Sequence, residues 1–210
     1  MKAPIILALM AAIAALPAAA APRGATVAYA QGEVRVNGAP AEIGSGLGPS
    51  FSVATGPGAR CDIVFDGGNV LSVGQNTAAR VDLSGEQGIL LLDKGGVTSV
   101  LKKLAKLAGK DAFQVRTSSV VAGVRGTSFC VWADGDSTYV CACNGAVRTL
   151  DAKGGNELEL VSAHHTARIY ARMGAGFSVV VAGMLHHDDA LVESAAARIG
   201  WKVDWKKVDR

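Results

Sequence analysis

The residues of this chain that can do chemistry are few and gathered. Three of its four cysteines, Cys130, Cys141 and Cys143, fall close together. Its four histidines occur as two adjacent pairs, His164-His165 and His186-His187, and the second pair runs directly into Asp188 and Asp189. Thiolates and imidazoles together suit a tetrahedral zinc ion, and the same donors suit iron or copper. The candidate metal ligands are therefore Cys141, Cys143, His164, His165, His186 and His187, with zinc, iron or haem as the cofactors to consider. No Cys-x-x-Cys-His sequence occurs, so covalent haem attachment is not indicated.

Two other chemistries use the same cysteines. In an exported chain an even cysteine count is normally read as disulfides, and Cys130 with Cys141 is the pair that a hairpin would bring together. Cys141 and Cys143 are poor partners, because an extended i, i+2 pair holds its Cα atoms about 7 Å apart, at the limit for bridging. The third alternative is a set of inert buried thiols. Catalysis finds less support. There is no Gly-x-Ser-x-Gly elbow, Ser118 and Ser119 fall in a predicted strand, and no glycine loop has the form of a phosphate cradle. A hydrolase pairing His164 or His165 with a cysteine would need an accessible thiol of depressed pKa. The expectation is a protein without catalytic residues.

The cysteines can share a site only if one element carries them. Residues 113–150 have the densest strand signals in the chain, and a turn over Asp134 to Ser137 makes them a hairpin. That turn sets Cys130 opposite Cys141 and sends Cys141 and Cys143 to one face, since strand side chains alternate. Upstream, short apolar runs at Val34–Val36, around Val53, at Cys61–Phe65 and at Val70–Val73 are separated by glycine-rich corners, and Asn37-Gly38 is a type I′ turn signal. Ile89 to Leu92 reads as a strand buried on both faces. Leu101, Leu104 and Leu107 recur at helical spacing among Lys102, Lys103 and Lys106, which predicts a short crossover helix.

Further strands are expected near Leu158–Val161, Ala167–Tyr170 and Phe177–Val181. Residues 186–200 read as a helix with Asp188 or Asp189 near its start, Leu191, Ala195 and Ile199 on one face, and Gly200 closing it. Trp201, Val203 and Trp205 alternate with charged residues, the pattern of a half-buried strand. The fold class is mainly β: a β-helix-like solenoid or a sandwich of short strands, with a small C-terminal helix-strand appendage. Twenty-six glycines and few aromatic residues agree with many turns.

Within the hairpin region the sequence runs Phe-x-Val-x-Thr, then Val124-Arg125-Gly126-Thr127-x-Phe-x-Val, a turn, and Asn-Gly-x-Val. Together with Gly-x-Val-x-Val at Gly32–Val36, Ala-Thr-Gly-Pro-Gly-Ala at Ala54–Ala59 and Leu-Leu-Asp-Lys-Gly-Gly-Val, this pattern resembles the FecR-like domain of bacterial periplasmic proteins. The resemblance covers roughly Ala25 to Leu150 and marks Val124, Arg125, Gly126 and Thr127 as a structural motif. It implies a β-helix-like domain. In the iron-citrate signalling members of that family the domain senses an outer-membrane transporter and connects through a membrane helix to a cytoplasmic anti-sigma segment. Here a signal-peptide-like start stands where those members carry that segment, so sigma-factor control is not carried over.

That start is residues 1–21, with Lys2, an apolar run from Pro4 to Leu16 and small residues from Ala18 to Ala21. It has the layout of a secretory signal and is short for a bilayer-spanning helix of about 20 apolar residues. The expected division is a signal peptide over 1–21, a FecR-like domain over 25–150, continuing strands over 151–183 and an α+β appendage over 184–210. The near balance of 21 basic against 18 acidic residues lacks the basic face of a nucleic-acid binder. The expected location is the periplasm or another exported compartment. The expected partner is an envelope protein or a small ligand, with no stable membrane span once the signal is removed. The function expected is an exported binding or signalling module, the alternative a metal-binding or redox protein.

Overall fold

The computed structural model describes residues 24–102, 104, 111–124 and 126–209. The expected signal peptide and Arg125 lie outside the described residues, as does most of the expected crossover helix. Of that helix, Leu101 is instead the last residue of a strand and Leu104 packs against the core.

The strands form two layers. The first runs β4 (Gly46–Leu47), β1 (Ala25–Gln31), β6 (Arg60–Phe65), β7 (Asn69–Val73), β9 (Gly88–Leu101), β12 (Ser128–Asp134), β13 (Ser137–Asp151), β15 (Thr166–Met173) and β16 (Gly176–Ala182). The second runs β3 (Ala39–Pro40), β2 (Val34–Val36), β5 (Ser50–Thr55), β8 (Ala78–Asp82), β9, β10 (Phe113–Arg116), β11 (Val120–Val124), β13 and β14 (Leu158–Ser162). Strands β9 and β13 belong to both layers, so β9, β10, β11, β13 and β12 close into a five-stranded ring.

Glycine lets these two long strands change layer. The first half of β9 pairs with β8 and β10; from Gly95 onward it pairs with β12 and β7. Gly95 has φ +76°, and a Cβ there would lie 2.5 Å from the Thr77 backbone. In β13 the change falls at Asn144-Gly145, where Gly145 has φ +122° and a Cβ would meet Thr127 Oγ1 at 2.0 Å. A side chain at either position would be both strained and sterically blocked.

The β reading holds, but the strands do not stack as successive solenoid rungs. Every strand pair among the described residues is antiparallel except β9 with β10, whereas solenoid rungs stack in parallel. Ser118 and Ser119 sit in the turn between β10 and β11 rather than in a strand. Asn37 and Gly38 both have positive φ and make the predicted tight turn between β2 and β3.

Alternation divides the side chains between two apolar clusters. Ile63, Leu71, Leu90, Phe113, Phe129, Val131 and Tyr170 fill the space between layers. On the outer face of the first layer, Val70, Val100, Cys130, Tyr139, Cys141 and Cys143 form a second cluster, completed by Val192, Ala195, Ala196 and Val203 from the C-terminal segment. Helix α1 (Asp189–Ala197) lies over β7 and β9. Asp188 caps it, its carboxylate accepting the Leu191 N–H at 2.8 Å. The helix is shorter than predicted, and its buried face is Val192, Ala195 and Ala196 rather than Leu191.

The predicted C-terminal strand does not form. Val203 is buried as the alternation requires, but the Trp201 N–H bonds back to Ala196 O, and the Asn144 side-chain amide binds the carbonyls of Asp204 and Lys207. The tail is held across the face of the sheet, away from any strand edge where it could pair.

Candidate metal centre

The hairpin register is the one its turn predicts: Asp134 pairs with Ser137 and Cys130 lies directly opposite Cys141. Cys130, Cys141 and Cys143 all face outward, buried beneath the C-terminal segment, and all four cysteines are unbridged. Cys61 faces the other way, into the core between layers, and has no part in the cluster.

Two histidines converge on Cys141 and Cys143. His165 immediately precedes β15, and its N–H bonds to Cys143 O at 2.9 Å, which extends the β13–β15 pairing by one step. His187 comes from the segment between β16 and α1. Cys141 Sγ lies 3.5 Å from His165 Nδ1, Cys143 Sγ lies 3.3 Å from His187 Nε2, the two sulfurs are 3.9 Å apart and the two ring nitrogens 3.2 Å apart. All four atoms lie within 4.8 Å of one another.

The other two predicted histidines are placed elsewhere. His186 stacks on Trp132 with ring centroids 4.7 Å apart and planes 8° from parallel. His164 is exposed and binds Asp189 through Nε2 at 3.0 Å. Backbone conformation makes the members of each pair diverge: His165 and His186 both have left-handed φ, +54° and +63°. A side chain in that region is uncommon and marks a position that its surroundings hold in place.

The ring atoms that face away from the sulfurs are also engaged. His165 Nε2 meets Asp189 Oδ1 at 2.8 Å, and His187 Nδ1 meets Leu185 O at 2.7 Å. Tyr139 fixes that second contact, because its hydroxyl donates to Gly183 O and accepts from the Leu185 N–H. Trp205 packs its ring 5.1 Å from that of His165. Asn144 joins Ala163 O, just before the first histidine pair, to the carbonyls of Asp204 and Lys207 in the tail. Sequence places Asp189 beside the second histidine pair and at a helix start, without tying it to the first pair, and gives no sign of the parts played by Tyr139, Asn144 and Trp205. The one signal for Asp189 was its position just after the histidine pair.

Cys141 is the thiol of the pair that ionises. The S–H of Cys143 donating to it is the largest influence; burial opposes this, and His165 and His187 add to it, holding Cys141 at about 3. Cys143 is pushed well above the ordinary thiol range by burial and by the neighbouring sulfur. Burial lowers His187, but the neighbouring cysteine sulfurs outweigh it and raise that ring to about 10. His186 is lowered by burial. The cluster thus pairs an anionic sulfur with a cationic imidazole in a water-poor setting.

The Val-Arg-Gly-Thr motif is architectural where it is described. Val124 is in the core, Gly126 has φ +86°, and buried Thr127 accepts the Leu101 N–H through its carbonyl while its hydroxyl donates to Asn144 O. It joins the end of β9 to the point where β13 changes layer.

Residues 51–148 match the family profile of FecR protein, and the segment is a FecR domain. No curated protein matches the chain. Among solved structures, the chain resembles a candidate anti-sigma factor from Parabacteroides distasonis at 16% identity, with a TM-score of 0.51. The likeness covers 64% of this chain and 60% of that protein, and it is a likeness of fold.

Proposed function

We propose, from a chain that carries a FecR domain over residues 51–148, that the protein is an exported, non-enzymatic interaction module of the cell envelope. In this role it serves sensing or signalling by binding another envelope protein. The observation that carries the reading is the edge of the first layer. β16 is its outermost strand, seven residues long, with Val180 52% and Val181 76% exposed. Met184 and Leu185, just beyond it, are exposed as well. A long apolar edge left open is what proteins ordinarily avoid, and it is the template to which a partner adds a strand. Among the described residues no helix is long and apolar enough to cross a membrane.

The test is photo-crosslinking in cells from position 181, with Ile43, exposed far from this edge, as the control position. One envelope protein should crosslink from 181 and not from 43, and a Val180→Lys change in the same chain should abolish the product. Recovery of the protein in the cytoplasm, or equal crosslinking from both positions, overturns the reading. A groove of about 510 Å³ on the second layer, with Arg80, Arg116 and Asp82 beside Ile89 and Leu91, is the competing place for a small, partly apolar ligand. Crosslinks that map to that groove instead of β16 count against the edge.

A further inference from the structure

We propose that Cys141, Cys143, His165 and His187 bind one zinc-class divalent cation, which fastens the segment preceding α1 to the outer face of the first layer. This does not rest on the β16 interaction, since it needs no partner.

Geometry carries the proposal. Zinc bonded tetrahedrally to two sulfurs at ~2.3 Å and two nitrogens at ~2.0–2.1 Å sets sulfur–sulfur, sulfur–nitrogen and nitrogen–nitrogen separations of about 3.8, 3.5 and 3.3 Å. Four of the six donor separations stand at 3.9, 3.5 and 3.3, and 3.2 Å, and all six lie within 4.8 Å. Ordinary packing does not require that agreement, because van der Waals contact between two ring nitrogens or two sulfurs is satisfied over a range of angles. Here four donors from three separate segments converge on one centre.

The surroundings are those of a metal site as well. Each imidazole has its remote nitrogen fixed, one by Asp189 and the other by Leu185 O, the arrangement that orients a histidine and increases its basicity as a ligand. Asp189 also reaches His164, and these three make a second possible cluster. That cluster is better read as support for the first, because His165 presents Nδ1 to the sulfurs while its Nε2 is engaged by Asp189. Both cysteines are fully buried and the side chain of His165 is 9% exposed. Four protein ligands would fill the coordination shell of a tetrahedral zinc and leave no position for substrate or water, which is the form of a structural rather than a catalytic site. Haem does not fit, because a macrocycle cannot pass between donors packed into one tetrahedron. Two sulfurs and two nitrogens favour zinc over hard cations, which take oxygen ligands.

The site would also settle a conflict of compartment. Thiols outside the cytoplasm tend to oxidise, and Cys130 stands directly across from Cys141 as the available partner. A bound cation holds Cys141 and Cys143 as thiolates and withholds them from that reaction.

The experiment uses the full mature chain, reduced and stripped of metal, titrated with cobalt(II) as a spectroscopic probe and then with zinc. The expected result is saturation at one equivalent, with the intense visible bands of tetrahedral cobalt, a near-ultraviolet thiolate charge-transfer band, and loss of both on adding zinc. His187→Ala, which alters a partly exposed loop residue, should remove the tetrahedral spectrum. Asp189→Asn keeps all four ligands and should weaken zinc binding ~10–100-fold. His186→Ala should change neither, and circular dichroism of each variant separates a lost site from a lost fold. An octahedral cobalt spectrum, binding that survives His187→Ala in folded protein, or native protein isolated metal-free with a Cys130–Cys141 disulfide overturns the proposal.

Discussion

Asp62 offers a test of how the C-terminal segment is held to the β body. Its side chain is fully buried on the outer face of β6, where it accepts from Arg60 at 2.8 and 3.0 Å, from Ser72 at 2.7 Å and from Arg198, just beyond α1, at 2.9 Å. Arg198 also lies over the Tyr29 ring, 4.4 Å from its centroid. Asp62→Asn keeps the shape and removes the charge, leaving two guanidinium groups on one neutral acceptor. Breaking a buried ion pair from one side costs about 3–5 kcal/mol. The low end applies, about 3 kcal/mol, because Arg60 and Arg198 keep 21% and 32% of their side-chain exposure and can rehydrate.

At roughly 2–4 °C per kcal/mol for a domain of this size, the melting temperature should fall by about 6–12 °C. Arg198→Ala alone should cost about 1 kcal/mol, and the double variant should fall short of the summed single effects by about 1 kcal/mol, the coupling expected of directly bonded residues. Calorimetry of the four proteins measures this cycle. A fall under 2 °C for Asp62→Asn, or strict additivity with Arg198→Ala, would refute the view that this cluster docks α1. The carboxylate would then serve Arg60 and Ser72 within the sheet and not the docking of α1.

Three further outcomes follow from the same geometry. Gly145→Ala places a Cβ 2.0 Å from Thr127 Oγ1 at a backbone with φ +122°, so it should destabilise the fold by about 3 kcal/mol or abolish soluble expression, as read by denaturant unfolding. Burial first, then the adjacent Asp62 charge, pushes the Cys61 thiol up to about 12, so iodoacetamide at neutral pH should leave it unmodified until the protein is unfolded, as mass spectrometry would show. The folded thiol keeps its proton where an unfolded one loses it near 9.0; its contribution to stability is therefore intact below pH 9 and lost between pH 9 and about 12. Asp188→Ala removes the cap of α1 and should cost about 1 kcal/mol in thermal stability, whereas Asp188→Asn, which can still accept the Leu191 N–H, should cost less than half of that.

What could be read from sequence and what could not divides along a physical line. β6, β7, β14, β15 and β16 are short and end at turns, so local pattern marked them closely. The Cys130–Cys141 register followed from one turn, because a hairpin converts sequence spacing into pairing by counting. β9 defeated the same method. Its Gly95-Gly96 pair reads locally as a corner that ends a strand, yet here it bends a strand that continues for 14 residues through both layers. Leu101 and Leu104 looked helical because their spacing fits a helix, although Leu101 is spent as the end of β9. Local pattern was equally unable to choose between His164 and His165, or between His186 and His187. Adjacent side chains differ there through one left-handed φ in each pair, and that conformation is imposed from a distance. The contacts that hold the C-terminal segments to the sheet, Asn144 to the tail, Tyr139 to the segment before α1 and Asp62 to Arg198, span from 44 to 136 positions of sequence. They are polar bonds between residues with no periodicity to announce them. The four candidate ligands therefore depend on residues that bind nothing themselves. A change at Asn144 or Tyr139 should loosen the cluster while leaving each of its donors in place.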